Sequence, residues 1–227
     1  MLTNKVCNVY SRIIMFTSII KTNKMKKLVL IGLFALGFSA VAQEKGNVEF
    51  GVTVGYSSAN VTTGYFQSET SSGFNAGVSA EYYFSDRWGI KGRILYDQKG
   101  WDNGYFIDEN DVSFPADYSL NYITVPVMAN WHFGRKRNWY LNFGPYIGFL
   151  ANATESSADT DVKEGFSSTD FGLSYGIGVK IPVSNKMKLS LEFDGQEGFS
   201  DVFKENRSSA VRNYRGSFNV GLLFLMK

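Results

Sequence analysis

The stretch Phe171-Gly172-Leu173-Ser174-Tyr175-Gly176-Ile177-Gly178-Val179-Lys180-Ile181-Pro182-Val183, the three residues Ser184-Asn185-Lys186, and then Met187-Lys188-Leu189-Ser190-Leu191-Glu192-Phe193-Asp194 decide the fold. Every odd position from Phe171 to Phe193 within the two runs is large and apolar, and nearly every even one is small, polar or charged. Successive side chains of a β-strand point to opposite faces, so each run is a strand with one oily and one polar face. Three residues suffice for a tight hairpin turn, which makes the two runs antiparallel neighbours.

The same alternation recurs on both sides of this hairpin. Val48 to Ser57, Phe74 to Phe84 and Trp88 to Asp97 precede it, as do Leu120 to Phe133 and Trp139 to Asn152; Tyr214 to Met226 follows. These make eight strands. Connections alternate in length: Ser85 to Arg87, Gly134 to Asn138 and Ser184 to Lys186 are short, whereas Ser58 to Gly73, Gln98 to Ser119, Ala153 to Asp170 and Gly195 to Asn213 are long and polar. Strict alternation of long loops and short turns is the pattern of an outer-membrane barrel, and each oily face is about as long as the ~9–11 residues of a tilted spanning strand. The expected fold is therefore all-β: an eight-stranded antiparallel up-and-down transmembrane β-barrel, preceded by a cleavable signal peptide and with both termini periplasmic.

Aromatic residues fall at both ends of the oily faces. Trp88, Trp131, Phe133 and Trp139 lie at the short-turn end, and Tyr56, Tyr96, Phe149 and Tyr214 at the long-loop end, where they would form the two girdles of a membrane barrel. The inward faces carry Lys91, Arg93, Lys180, Lys188 and Arg215 against Glu49, Glu81, Asp97, Glu192 and Asp194. Equal numbers of each sign in a lumen only wide enough for side chains imply a salt-bridged, plugged interior. Pro126 and Pro145 fall inside strands of a sheet without edges, so each implies a bulge or a lost ladder bond. Leu95, Leu223 and Leu225 also point inward in this register.

The N-terminal segment reads differently. Lys26 and Lys27, the apolar run Leu28 to Phe38 and the small residues of Ala40-Val41-Ala42 form a secretory signal with cleavage before Gln43. Residues 1–24 are then an upstream misreading of the start, 25–42 the signal peptide and 43–227 the outer-membrane barrel domain. The first 42 residues hold six basic residues and no acidic one, leaving 17 basic against 21 acidic residues in the mature chain. The formal +2 of the whole chain is thus no sign of nucleic-acid binding. The single cysteine, Cys7, leaves with that segment, and one histidine, His132, excludes His-cluster metal sites and two-imidazole mechanisms.

Three motifs invite chemistry. Glu192 with Asp194, and Asp159 with Asp161, resemble acid/base or Ca²⁺-ligating pairs, but the first alternates into the lumen beside Lys188 and the second lacks the glycine and terminal glutamate of an EF-hand. His132 could serve a lipid-modifying enzyme together with a serine, although it falls at the short-turn end. The aromatic residues Tyr65, Phe66, Trp101, Tyr105, Phe106 and Phe114 lie in long connections among acids; they suit either contact with a protein or glycan or packing on one another.

The hairpin Leu120-Asn121-Tyr122-Ile123-Thr124-Val125-Pro126-Val127-Met128-Ala129-Asn130-Trp131-His132-Phe133, with Tyr140-Leu141-Asn142-Phe143-Gly144-Pro145-Tyr146-Ile147-Gly148-Phe149-Leu150, resembles the central hairpin of the PorT-like outer-membrane β-barrel family of Bacteroidetes-type bacteria. Pro126 matches a habitual proline of that family. The C-terminus departs from it, since Phe224 is followed by Leu225-Met226-Lys227 rather than ending the chain. The resemblance implies insertion by the barrel-assembly machinery and an accessory role in protein secretion (type IX-like) or surface assembly.

The expected function is a non-enzymatic structural or interaction anchor presenting external loops, with outer-membrane lipid, the barrel-assembly machinery and a secretion or surface protein as partners. No cofactor and no catalytic, cofactor-binding or metal residue is expected. The alternatives are a narrow solute channel, a lipid-modifying outer-membrane enzyme, and a soluble sandwich or lipocalin-like binder whose oily stripes would pack inward. N-terminal sequencing of the mature protein should read Gln43 first; a chain starting at Met1 would overturn the assignment of the leader.

Overall fold

The computed structural model describes residues 45–62, 68–107, 113–156, 160–206 and 209–226. The leader, residues 1–42, lies outside them, as do Tyr65, Phe66 and Asp159. Among the described residues nine strands form in chain order: β1 (Val48–Thr62), β2 (Ser71–Tyr83), β3 (Trp88–Ile107), β4 (Ser113–Phe133), β5 (Trp139–Glu155), the two-residue β6 (Thr160–Asp161), β7 (Thr169–Pro182), β8 (Met187–Gly198) and β9 (Arg212–Met226). All pairings are antiparallel, and each of the eight long strands bonds its two neighbours in sequence order, with β9 returning to β1. β6 only folds back on the end of β5. The eight long strands thus form one closed sheet with no free edge, the arrangement that satisfies every strand's backbone without covering helices.

Burial is inverted relative to a soluble protein. Val52, Val54 and Phe193 are 50–63% exposed, whereas the charged residues Asp97 and Arg215 are 0% exposed. Polar inside and apolar outside is the distribution of a sheet solvated by lipid, and it overturns the sandwich and lipocalin alternatives. Leu95, Leu223 and Leu225 do face inward, so the register of β3 and β9 does not slip.

The strands run farther than the oily stripes suggested. Most of the supposed second loop is strand, because β3 and β4 stay paired out to Ile107 and Ser113. Trp101, Tyr105, Phe106 and Phe114 therefore sit on strands rather than in a loop. The reason is that polar residues end the lipid-facing stripe without ending the hydrogen-bond ladder. Asn152, expected inward, is exposed: the β4–β5 register passes from Tyr122 opposite Leu150 to Asn121 opposite Asn152, so Ala151 is the extra residue of a bulge and Ala153 turns inward instead. A second irregularity lies between Trp101 and Gly104, where Asn103 takes a φ of 57°.

Both prolines act by losing ladder bonds, not by shifting register. The β3–β4 pairing is interrupted between Gly92 opposite Val127 and Leu95 opposite Thr124, around Pro126, and resumes in step. The β4–β5 pairing is interrupted likewise between Pro126 opposite Tyr146 and Ala129 opposite Phe143, around Pro145.

If the outward face meets hydrocarbon, Val52→Arg, at mid-height between Val78 and Leu222, should destabilise the vesicle-inserted protein by about 2–4 kcal/mol in denaturant unfolding. No change would mean that this face is wet.

Candidate functional site: the filled interior and its outer cap

Because β3 and β8 lie four places apart around an eight-membered ring, and β7 and β2 likewise, ion pairs between them cross the full interior. All ten charged residues expected in the lumen are buried there. They form layers stacked from the short-turn end outward.

In the first layer Lys180 donates to Glu49, to Glu81 Oε2 at 2.7 Å and to the Tyr83 hydroxyl at 2.7 Å. Lys188 donates to the other Glu49 oxygen at 2.7 Å, and His132 Nε2 lies 2.6 Å from Glu81 Oε1. The imidazole is fully buried between Tyr83 and Tyr140.

The second layer centres on Glu192. It accepts from Lys91 at 3.1 Å, from Arg93, from the Tyr140 hydroxyl at 2.5 Å and from Asn142 at 3.2 Å. The Tyr140 ring fits because Gly178 faces it; a Cβ there would come within 2.4 Å of Tyr140 Cζ. Arg93 also reaches Asp194 at 3.0 Å, and Asp194 passes the chain of charge to Arg215 at 2.5 Å. Arg215 in turn donates from Nη2 to Asp97 Oδ2 at 3.2 Å, with its Nε in ion-pair contact with Oδ1 at 3.1 Å. Glu192 and Asp194 are thus each engaged by cationic side chains, and among the described residues there is no group of three or more His, Cys, Asp or Glu placed to hold a metal ion.

Above these sits a pair that the sequence reading missed. Lys99 donates to Asp170 at 2.8 Å, with the Tyr146 hydroxyl on the same oxygen at 3.0 Å and Ser200 on the other at 2.9 Å. From the sequence both charges fall in long connections, 98–119 and 153–170. Extending the alternation of β3 by one step past Asp97 would have placed Lys99 inward.

Beyond Lys99 the interior turns apolar. Trp101 stacks on Tyr118 at 4.7 Å and meets Phe166 and Phe203 at 6.1 and 6.0 Å. Val61, Leu120, Leu150, Val202 and Val211 complete the cluster. Phe166 and Phe203 pair as an isolated bridge, and Ser167 N to Val202 O and Lys204 N to Gly165 O, at 2.8 and 3.0 Å, lace the two connections together. Two long connections therefore fold inward as a hydrophobic cap on the polar interior. Burial, and secondarily the Glu155 carboxylate, raises the Tyr118 phenol above its usual range, so it stays neutral and donates to Tyr105 O at 2.9 Å.

The aromatic residues expected in girdles occupy the outer surface. Trp88, Trp131, Phe133 and Trp139 form a continuous row, with ring centroids 6.3, 5.2 and 6.5 Å apart. Tyr56, Phe149 and Tyr214 are exposed near the opposite end, and Tyr96 packs on Phe74 at 5.6 Å.

Removing one member of a buried ion-pair network strands its partners at a cost of about 3–5 kcal/mol. Lys180→Met, which leaves Glu49 and Glu81 facing each other, should lower unfolding stability by about that amount. Adding Glu81→Gln, which leaves Glu49 paired with Lys188, should restore most of it, and a single variant as stable as the parent would show that the interior is wet enough to solvate both carboxylates.

Among solved structures the chain is similar to the outer membrane protein OprG from Pseudomonas aeruginosa, at 13% identity over 82% of this chain and 98% of that one, with a TM-score of 0.51. It is also similar to Neisserial surface protein A, at 18% identity over 79% and 99% with a TM-score of 0.49, and to Ail, the attachment invasion locus protein of Yersinia pestis, at 17% over 80% and 99% with a TM-score of 0.43. These likenesses concern the fold. No curated protein matches the chain. The profile of the outer membrane protein beta-barrel domain matches residues 41–204, most of the chain, and the protein with its lipid-facing closed sheet and filled interior belongs to that family.

Proposed function

We propose that this outer-membrane barrel is a non-catalytic anchor: a PorT-like barrel whose rigid, filled sheet holds capped external segments for contact with a secretion or surface-assembly partner. In this reading the chain is cleaved before Gln43, inserted by the barrel-assembly machinery, and leaves both termini and the three short turns in the periplasm.

One observation carries it. Ion pairs cross the interior at several heights and an aromatic cap covers the outer end, so a surface partner meets the outer rim rather than the lumen. The same observation argues against a solute channel. His132 held against Glu81 within the lumen argues against a lipid-modifying enzyme, since no acyl chain reaches it there.

Planar-bilayer recording should give flat current, and stepwise conductance would overturn the anchor in favour of a channel. With the cysteine-bearing leader removed, Lys204→Cys should react with an impermeant maleimide on intact cells and Asn185→Cys should not; the reverse pattern would invert the topology. A deletion strain with unchanged secreted and surface proteins would reject the accessory role.

A further inference from the structure

Charge is sorted by height in this barrel. The three short turns, 85–87, 134–138 and 184–186, hold five basic residues and one acidic residue. Outside the Lys99–Asp170 pair, the four long connections as read from sequence, 58–73, 98–119, 153–170 and 195–213, hold thirteen acidic and four basic residues. The interior between the two ends is balanced. On the three short turns the positive charge is uneven as well, although Lys45 before β1 and Lys186 add cations elsewhere on the rim. Four of the five cations, Arg87, Arg135, Lys136 and Arg137, lie in the adjacent turns β2–β3 and β4–β5.

These two turns are built as one unit. His132 N donates to Arg87 O at 2.7 Å, and Arg137 meets both the carboxylate of Asp86 at 3.1 Å and its backbone oxygen at 3.4 Å. Gly134, with a φ of +83°, and Arg137, at 55°, set the shape of the second turn and leave Arg135 and Lys136 exposed. The same sector, and no other part of this rim, carries tryptophan: Trp88 on β3, Trp131 on β4 and Trp139 on β5. Tryptophan settles at the level of lipid headgroups, and clustered Lys and Arg at that level attract anionic lipid.

We infer that the β3–β4–β5 sector of the short-turn rim is a binding surface for anionic phospholipid headgroups, with the tryptophans set at the acyl–glycerol boundary and Arg87, Arg135 and Lys136 at the phosphates. The inference rests on the topology proposed above for its leaflet, which becomes the inner one, but not for its lipid selectivity. A neutral-lipid girdle would need the aromatic rings alone; the coincidence of cations and rings in one sector is what selects charge.

The test uses the mature protein folded into vesicles of phosphatidylethanolamine and phosphatidylglycerol, with one lipid or the other brominated, and reads tryptophan quenching. Trp101, in the cap, contributes a constant background. Brominated phosphatidylglycerol should quench as though enriched at least about threefold over its mole fraction, and 1 M salt should remove the enrichment by screening. The variant Arg87→Gln/Arg135→Gln/Lys136→Gln alters only exposed turn residues. It should keep its heat-modifiable gel mobility and quench in proportion to mole fraction. Proportional quenching by the parent, or enrichment that survives in the folded variant, would overturn the inference. Both leaflets of these vesicles have the same composition, so selectivity is read whichever way the barrel inserts. Enrichment together with surface labelling of Asn185→Cys in cells would keep the selectivity and overturn only the inner-leaflet assignment.

Discussion

A strand crossing hydrocarbon has no water to satisfy its N–H and C=O groups, so each must find a neighbour on both sides. That constraint is met here by eight strands paired in a ring, and the rest of the structure follows from how small a ring of eight is. Its interior is about wide enough for side chains to fill. Inward charges must then neutralise one another, and they do so both between neighbouring strands and across the diameter. Outward residues have only lipid to meet, which is why valine and phenylalanine are exposed where a soluble protein would bury them.

The two faces of each strand were legible in the sequence because a period of two is set by backbone geometry alone. Lys91, Arg93, Lys180 and their partners could be assigned inward from alternation, and their balance of sign hinted at pairing. Who pairs with whom could not be read, because it depends on which strands oppose each other around the ring and at what height. Lys99 and Asp170 fall outside the legible strands, and Trp101 in a loop, for a related reason: their neighbours Asp102, Ser167 and Ser168 are polar, and polar composition alone ends the readable alternation. Above the membrane a strand can be polar on both faces and still be paired. Asn152 fell on the wrong face because a single extra residue, Ala151, leaves no mark in composition.

The cap gives the external connections a double character. Phe166, Val202 and Phe203 turn inward onto Trp101 and Tyr118, while Asp161, Glu164 and Glu205 around them are exposed. A conformation fixed by an aromatic core presents its surface with little ordering cost on contact, which suits a recognition surface better than a mobile loop does. Below it, Ser200 on Asp170 joins the cap to the uppermost ion pair, so the rim is braced on the lumen.

The span in sequence of the interior ion pairs bears on how such a barrel is made. Lys91 and Glu192 are 101 residues apart, Glu49 and Lys188 139. Local hairpins can form early, but none of these partners meets until strands from the two halves of the chain come together. Until then Asp194 and Arg215 can pair within their own hairpin, but these cross-barrel partners face either water or lipid alone. A half-built sheet is therefore penalised twice, by its open edges and by its unmatched charges, and both penalties vanish in the same event. Closure is the step that makes the barrel all-or-none.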